Sequence, residues 1–185
     1  MHHTLLRVAS DSSKAATSNP EGAYNAALIA ITFAALGFEA MANTFLDHVI
    51  IDWKDFDKLP SLSKMRLIAE KLQISFDPRA EPWCTVRRLM IFRNLIAHPK
   101  PQYLVEEHAI DEDKIEARRF EMPETKLERE ITAPNAKTYL AAVVAARDLL
   151  LASMGEEQRF EVSTDGWTSS TIYPTRVGPA PVQAV

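Results

Sequence analysis

The sequence predicts an all-α fold, and three stretches of the chain carry this prediction. Residues 24–51 form a long run rich in alanine, leucine and phenylalanine without a proline, which favours one continuous helix. Residues 61–74 place apolar side chains at the spacing of one helical face, and residues 135–154 form another apolar helical stretch that ends before Gly155. We therefore expect a helical domain of about four to five helices.

The first predicted helix has two features that matter for packing. Its small residues would let a second helix approach closely; they are Ala26, Ala27, Ala30, Ala34, Ala35 and Gly37. Glu39, Asn43 and Asp47 recur at four-residue spacing and therefore share one polar face. The apolar part before Glu39 is shorter than the roughly 18 residues of a membrane span, so we expect a core helix.

The composition limits the classes of protein to which the chain can belong. Its 185 residues suffice for one domain, and 46% hydrophobic with 25% charged residues is typical of a globular protein. The net charge of -4 provides no global basic surface, so any contact with nucleic acid must be local. The single cysteine, Cys84, excludes an intramolecular disulfide and a multi-cysteine zinc site, and we expect no metal.

The chain begins with MHHTLLRVASDSSK, which has no apolar stretch long enough for a secretory signal. This observation and the single cysteine predict a cytoplasmic location. His2 and His3 stand next to the initiator methionine, where two histidines are usually part of a disordered end. We assign them no role.

The regions outside the predicted helices are rich in small, charged or proline residues. Residues 1–21 are predicted to be a flexible N-terminal arm that precedes the helical domain. That domain spans residues 22–154 and includes a charged excursion over residues 102–133. Residues 155–185 are predicted to be an extended or disordered tail.

A third predicted helix, residues 83–97, ends in the sequence MIFRNLIAH. Arg93 falls on the predicted buried stripe of this helix, which also contains Val86, Leu89, Met90, Ile96 and Ala97. An arginine taken from water without a partner costs on the order of several kcal/mol. It must therefore meet a carboxylate, open into a cleft or lie at an interface. Asn94 and His98 are four residues apart, and His98 precedes Pro99, which places the histidine at the turn that ends the helix.

The order Arg93-Asn94-Leu95-Ile96-Ala97-His98 resembles the motif of the HEPN superfamily, in which an arginine and a polar residue are followed by a histidine. The segments FEAMANTFLD, LSKMRLIAEKL and FRNLIAHPKP also follow the order of HEPN domains, and the resemblance covers residues 22–154. It implies an up-and-down helical bundle that commonly forms a homodimer and brings two copies of the motif into one cleft.

The resemblance also implies a chemistry, because many HEPN domains are metal-independent endoribonucleases. His98 would act as general base or acid toward the ribose 2′-hydroxyl, since imidazole exchanges protons near neutral pH. Arg93 would hold the scissile phosphate and stabilise the transition state, and Asn94 would orient the phosphate or the histidine. The substrate would be RNA, no cofactor would take part, and the products would be a 2′,3′-cyclic phosphate and a 5′-hydroxyl.

Further partners follow from the same resemblance and from the residues beside the motif. Arg87, Arg88 and Lys100 flank it and are predicted to form a basic rim for substrate phosphates, although such charges also occur on solvated helix faces. Active family members often work as toxins or in phage defence, which implies an antitoxin protein as partner. We expect no association with a membrane.

Two alternatives stand beside the ribonuclease hypothesis. The first is a non-catalytic helical dimer that serves as a protein-interaction or nucleotide-binding module. In the second, Arg93 forms a structural ion pair with Glu39 inside one chain, and His98 only complements the helix dipole at the end of its helix. The three hypotheses differ in whether the motif is open to solvent, covered by a partner chain or paired internally.

Overall fold

The computed structural model describes residues 1–99 and 124–163, and within these ranges the chain forms helices and no strand. The helices of the described part are α1 (His2–Ser18), α2 (Ala23–Val49), the 3-10 helix Trp53–Phe56, α3 (Ser61–Lys71), α4 (Trp83–Ala97), α5 (Lys126–Glu130), α6 (Ala133–Ala152) and α7 (Glu156–Ser163). The predicted all-α class is confirmed. The four helices expected from the sequence correspond to α2, α3, α4 and α6.

Helix α2 lies at the centre of the fold, where it contacts α1, α3, α4, α6 and α7. Its buried positions recur every three or four residues and form one wide face. The buried residues are Ala27, Ala30, Ile31, Ala34, Ala35, Gly37, Phe38, Met41, Ala42, Phe45, Leu46 and Val49. Because so much of its surface is covered, α2 is the core helix that the sequence predicts.

Helix α2 is also apolar enough to cross a membrane by length and composition. An 18-residue window within it has a mean hydropathy of 1.6, and any window of that length in this helix contains Glu39. The short apolar part before Glu39 therefore does not by itself exclude a span. Half of the window is buried inside the fold, and core helices commonly have this composition, so the feature is weak evidence for a membrane.

The predicted flexible arm over residues 1–21 is wrong, because most of it forms α1, which packs along α2. The buried residues of α1 are His2, Leu6, Ala9, Ser13 and Ala16. Their spacing of three or four residues marks one helical face. Small side chains such as alanine and serine suit close helix packing. Because they are only weakly hydrophobic, a sequence rich in them is easily taken for a loop.

Gly37 of α2 lies at a close approach between α1 and α2. A Cβ atom at residue 37 would lie 2.7 Å from Cδ2 of Leu6 and 3.0 Å from its Cγ. Leu6 is buried, with only 5% of its surface exposed, so it has little room to move away. The missing side chain of Gly37 therefore makes space for Leu6.

His2 is not the roleless end residue that its position beside the initiator methionine predicts. It is fully buried, and its ring lies edge-on to Phe45 with the centroids 6.3 Å apart. Burial, and then the charges of His3, the N-terminal amine and Arg147, lowers the pKa of His2 to about 3. The imidazole is therefore a neutral core group at physiological pH.

The predicted tail over residues 155–185 is wrong in its first part, because Glu156–Ser163 form α7. Val162 is buried, and the Arg159 Nε atom donates to the carbonyl oxygen of Met154 at 2.9 Å, so this helix is joined to the bundle. The rest of the predicted tail lies outside the described residues.

Of the charged excursion predicted over residues 102–133, only the last part lies within the described residues. It contains α5, which begins with a capping box. The hydroxyl of Thr125 accepts the backbone N–H of Glu128 at 3.1 Å, and the Glu128 carboxylate accepts the backbone N–H of Thr125 at 2.7 Å. Helix α6 begins in a similar way, because Thr132 Oγ1 accepts the N–H of Asn135 at 3.3 Å.

We expect Gly37→Ala to lower the free energy of unfolding by roughly 1 kcal/mol, because overpacking against Leu6 outweighs the higher helix propensity of alanine. In a Leu6→Ala background the same substitution should instead stabilise the protein, since the added methyl group then enters vacated space. Urea unfolding of the four proteins measures this cycle. Equal effects of Gly37→Ala in both backgrounds would contradict the close contact.

Candidate functional site

Helix α4 presents the motif at its C-terminal end, on the boundary between its buried and exposed faces. The helix buries Trp83, Thr85, Val86, Leu89, Met90 and Phe92. Arg87, Ile91, Asn94 and His98 are exposed, and their spacing places them on one face. The predicted buried stripe is correct at Val86, Leu89 and Met90 and wrong at Ala97, which is exposed because the last turn extends beyond the core.

Arg93 is held between two neighbours within one chain. Its Nη2 atom donates to Oε2 of Glu39 at 3.0 Å, and its Nη1 atom donates to Oδ1 of Asn94 at 3.1 Å. The exposed fractions of the Arg93 and Glu39 side chains are 30% and 26%, so the ion pair is partly shielded from water. This contact between Arg93 and Glu39 within one chain is what the structural alternative predicts, whereas Asn94 and His98 are exposed, as the ribonuclease hypothesis expects.

The guanidinium group retains unused hydrogen-bonding capacity in this arrangement. Arginine has five N–H donors in a fixed plane, and within the described part of the chain only two bonds engage them, to Glu39 and to Asn94. Because the side chain is 30% exposed, a ligand in solvent can reach them. Glu39 offsets part of the positive charge, but it also fixes the direction of the guanidinium plane without a ligand present.

His98 lies at the turn that ends α4, as predicted. Its backbone φ and ψ of -133° and 63° have left the helical region, and its N–H donates to the carbonyl oxygen of Asn94 at 3.0 Å. Among the described residues its exposed imidazole makes no hydrogen bond or ion pair. The structure therefore brings Arg93 and Asn94 together, whereas the exposed His98 ring, which follows Asn94 by one helical turn, forms no hydrogen bond with either of them.

Arg87 and Arg88, two of the three residues predicted to form a basic rim, lie in different clefts. Arg87 lines a cleft beside α3, whereas Arg88 lines a different groove against α5 and α6. Lys100 lies outside the described residues. The interpretation of Arg87 and Arg88 as a shared phosphate rim therefore finds no support in their positions.

Arg88 is engaged in a network that joins α4, α5 and α6. Its Nη2 atom lies 3.1 Å from Oε1 of Glu130, and its guanidinium lies 5.8 Å from the ring centroid of Tyr139. The hydroxyl of Tyr139 donates to the same Glu130 oxygen. Burial, and then this bond to Glu130, raises the pKa of Tyr139, so the hydroxyl remains a proton donor in the network.

Lys64 is an important residue that the sequence reasoning did not single out. Only 5% of it is exposed, and its Nζ atom donates to Oδ1 of Asn43 at 2.7 Å and lies 3.6 Å from Asp57. Lys64 precedes the buried Ile68 by four residues, and this spacing could have placed it on the buried face of α3. Its methylene groups pack in the core while the ammonium group reaches the polar edge of α2.

Cys84 is a weak candidate for nucleophilic chemistry. Its thiol donates to Oε1 of Glu81 at 3.3 Å, and the hydroxyl of Thr85 donates to the same atom at 2.8 Å. The bond to Glu81 is the main cause of a raised pKa for Cys84, which disfavours the reactive thiolate.

Within residues 1–99 and 124–163, no group of three or more His, Cys, Asp or Glu side chains is placed to hold a metal ion. Comparison of the chain with protein-family models, curated protein sequences and solved structures finds no match. What the chain does must therefore be inferred from its own residues and their contacts.

We expect Glu39 and Arg93 to be energetically coupled. Because the pair is partly exposed, a double-mutant cycle with Glu39→Gln and Arg93→Gln should give a favourable coupling of about 1 kcal/mol in the free energy of unfolding. The coupling should weaken as salt is added, since the charges are not fully buried. Strictly additive effects of the two substitutions in urea unfolding would show that the contact does not contribute.

Proposed function

We propose that this chain is a metal-independent endoribonuclease of the HEPN type that acts in the cytoplasm as a homodimer. The observation that supports it best is the state of Arg93, which is held in a defined orientation by Glu39 and Asn94 at the exposed end of α4. His98 is open to solvent one helical turn further on. An oriented cation and a solvent-exposed imidazole at the same end of one helix supply the two kinds of group that phosphodiester cleavage needs.

In the proposed reaction His98 accepts the proton of the ribose 2′-hydroxyl, and the 2′-oxygen attacks the adjacent phosphorus. The bond from phosphorus to the 5′-oxygen breaks, and that oxygen leaves as a hydroxyl after taking a proton from water. The products are a 2′,3′-cyclic phosphate and a 5′-hydroxyl. DNA cannot react in this way because it lacks the nucleophile.

Arg93 is suited to the charge that develops during this reaction. The attacked phosphate gains negative charge on its oxygens, and the unused donors of a planar guanidinium match two such oxygens. Because Glu39 and Asn94 already orient the group, it does not have to be ordered during catalysis. Asn94 is a positioning residue for Arg93 in this scheme, and its own exposed amide can also contact the phosphate.

The exposed face of α4 supports a homodimer. Ile91 is 54% exposed and Leu95 41% exposed, and their spacing to His98 places all three on the motif-bearing side of the helix. Exposed apolar side chains on one face favour association, and a two-fold axis pairs the same patch on both copies. Such pairing of α4 would bring two copies of the motif together.

The cellular setting is a further part of the proposal. An endoribonuclease of this kind would stop growth if left unrestrained, which suits a toxin or a component of phage defence. A protein antitoxin is the partner that this setting requires. The alternative function is a non-catalytic helical dimer that binds a protein or a nucleotide through the same exposed end of α4.

Cleavage of a mixed pool of structured and single-stranded RNA in excess EDTA tests the ribonuclease. We expect wild-type protein to leave 2′,3′-cyclic phosphate ends, and His98→Ala and Arg93→Ala to reduce the rate by at least about 100-fold. Arg79→Ala is the matched control, because Arg79 is exposed and paired with Asp77 away from the motif. If the wild-type protein and both motif variants are folded but equally inactive, the result favours the non-catalytic module.

A charge placed on the exposed face of α4 tests the homodimer. We expect Leu95→Glu to convert the dimer into a monomer in light-scattering measurements and to abolish RNA cleavage, although Arg93, Asn94 and His98 are unchanged. Leu149→Glu on α6 is the matched control, since Leu149 is 42% exposed and Leu95 is 41% exposed. A Leu95→Glu variant that remains dimeric would exclude this face as the interface.

A further inference from the structure

A second cleft, distinct from the Arg93 site, lies between α3, α4 and the connection that joins them. It measures about 400 Å³ and is lined by Leu62, Ser63, Arg66, Phe76, Pro78 and Arg87. Two of these residues are arginines from different helices, and none is a carboxylate. An opening with two guanidinium groups, a hydroxyl and no acidic lining residue is electrostatically favourable for an anion.

The two arginines differ from others in the chain in what they contact. Arg79, Arg88 and Arg93 each form an ion pair with a carboxylate. Among the described residues, neither Arg66 nor Arg87 forms a hydrogen bond or ion pair with a carboxylate. Their charges are therefore not neutralised by a direct partner in that part of the chain, and their N–H donors remain available to a ligand.

Arg66 is also held in place by a stack of aromatic rings. Its guanidinium carbon lies 5.6 Å from the ring centroid of Phe76, and that ring lies 4.6 Å from the ring of buried Trp83. The Trp83 Nε1 atom donates to the backbone oxygen of Ser75 at 3.3 Å, which fixes the stack to the chain. Stacking over a ring leaves the N–H groups at the guanidinium edge unoccupied, so Arg66 is ordered without losing its donors.

We propose that Arg66 and Arg87 form a phosphate-binding site in this cleft. Two guanidinium groups from separate helices can bind one phosphate from two sides, and Ser63 adds a hydroxyl donor. The phosphate belongs either to an RNA strand or to a free nucleotide. Arg87 precedes Asn94 by seven residues on the same face of α4, or about 10 Å along the axis, so a strand held here would extend toward the motif.

Binding of an RNA phosphate in this cleft rests on the proposed ribonuclease function, whereas binding of a free nucleotide does not. The test is therefore a binding measurement that needs no cleavage. A fluorescent single-stranded 2′-O-methyl RNA, which has no free 2′-hydroxyl, is titrated against wild-type protein and variants, and anisotropy gives Kd. We expect the double variant Arg66→Gln/Arg87→Gln, called the glutamine pair below, to weaken RNA binding at least about 10-fold. The slope of log Kd against log salt concentration should fall by about 0.7 for each RNA phosphate that the variant no longer neutralises.

Two control variants separate a defined site from general electrostatics. Arg79→Gln removes an exposed arginine on the same connection and should change Kd less than about two-fold. Arg66→Lys with Arg87→Lys keeps the charge but removes the planar donors, and it should weaken binding nearly as much as the glutamine pair. Thermal unfolding of each variant shows whether removal of the stacking on Phe76 has unfolded the protein.

Competition with adenosine 5′-monophosphate distinguishes the two sources of phosphate. If the nucleotide binds in an Arg66- and Arg87-dependent manner and the RNA does not, the site takes a free nucleotide. Equal loss of affinity in the glutamine pair and in Arg79→Gln would overturn the site for either source. Arginine-dependent binding without RNA cleavage in EDTA would retain the site and reject the ribonuclease. RNA cleavage in EDTA without arginine-dependent binding of either RNA or nucleotide would retain the ribonuclease and reject the site.

Discussion

Helix α2 must bury a wide apolar face while it carries Glu39 and Asn43 beside that face, and this constraint organises the rest of the bundle. Polar groups near a core cost free energy unless they are hydrogen-bonded. Arg93 of α4 pairs with the half-buried Glu39, and the exposed Asn43 accepts a hydrogen bond from the buried ammonium group of Lys64 on α3. Because the partners come from two different helices, these contacts and the apolar faces of α3 and α4 together align both helices against α2.

The Glu39–Arg93 pair also connects the structural and catalytic interpretations of the motif, which need not exclude each other. A purely structural arginine would have its donors satisfied and its side chain covered, whereas the side chain of Arg93 is 30% exposed and some of its donors have no partner among the described residues. The pair therefore stabilises the docking of α4 and at the same time orients a cation toward solvent. Enzymes commonly depend on such preorganised groups, since ordering them during the reaction would raise the barrier.

The sequence was informative where a local pattern determines the structure, and uninformative where distant contacts do. Periodicity predicted the core helices, and the proline after His98 predicted where α4 ends. Helix α1 was missed because its buried face is made of alanine and serine, whose burial depends on the equally small residues of α2. The cleft was missed because Arg66, Phe76 and Arg87 become neighbours only when α3 and α4 pack together.

Two sides of α2 are covered by helices at very different distances from it along the chain. Helix α1 joins α2 through residues 19–22, so Leu6 reaches Gly37 within a local helical hairpin, whereas Glu39 and Arg93 are 54 residues apart. Local contacts have a lower loop-closure entropy and form first, and N-terminal segments also emerge first during synthesis. We therefore expect the growing chain to form this hairpin before α4 exists to meet Glu39, so that orienting the arginine requires a later, long-range step of folding.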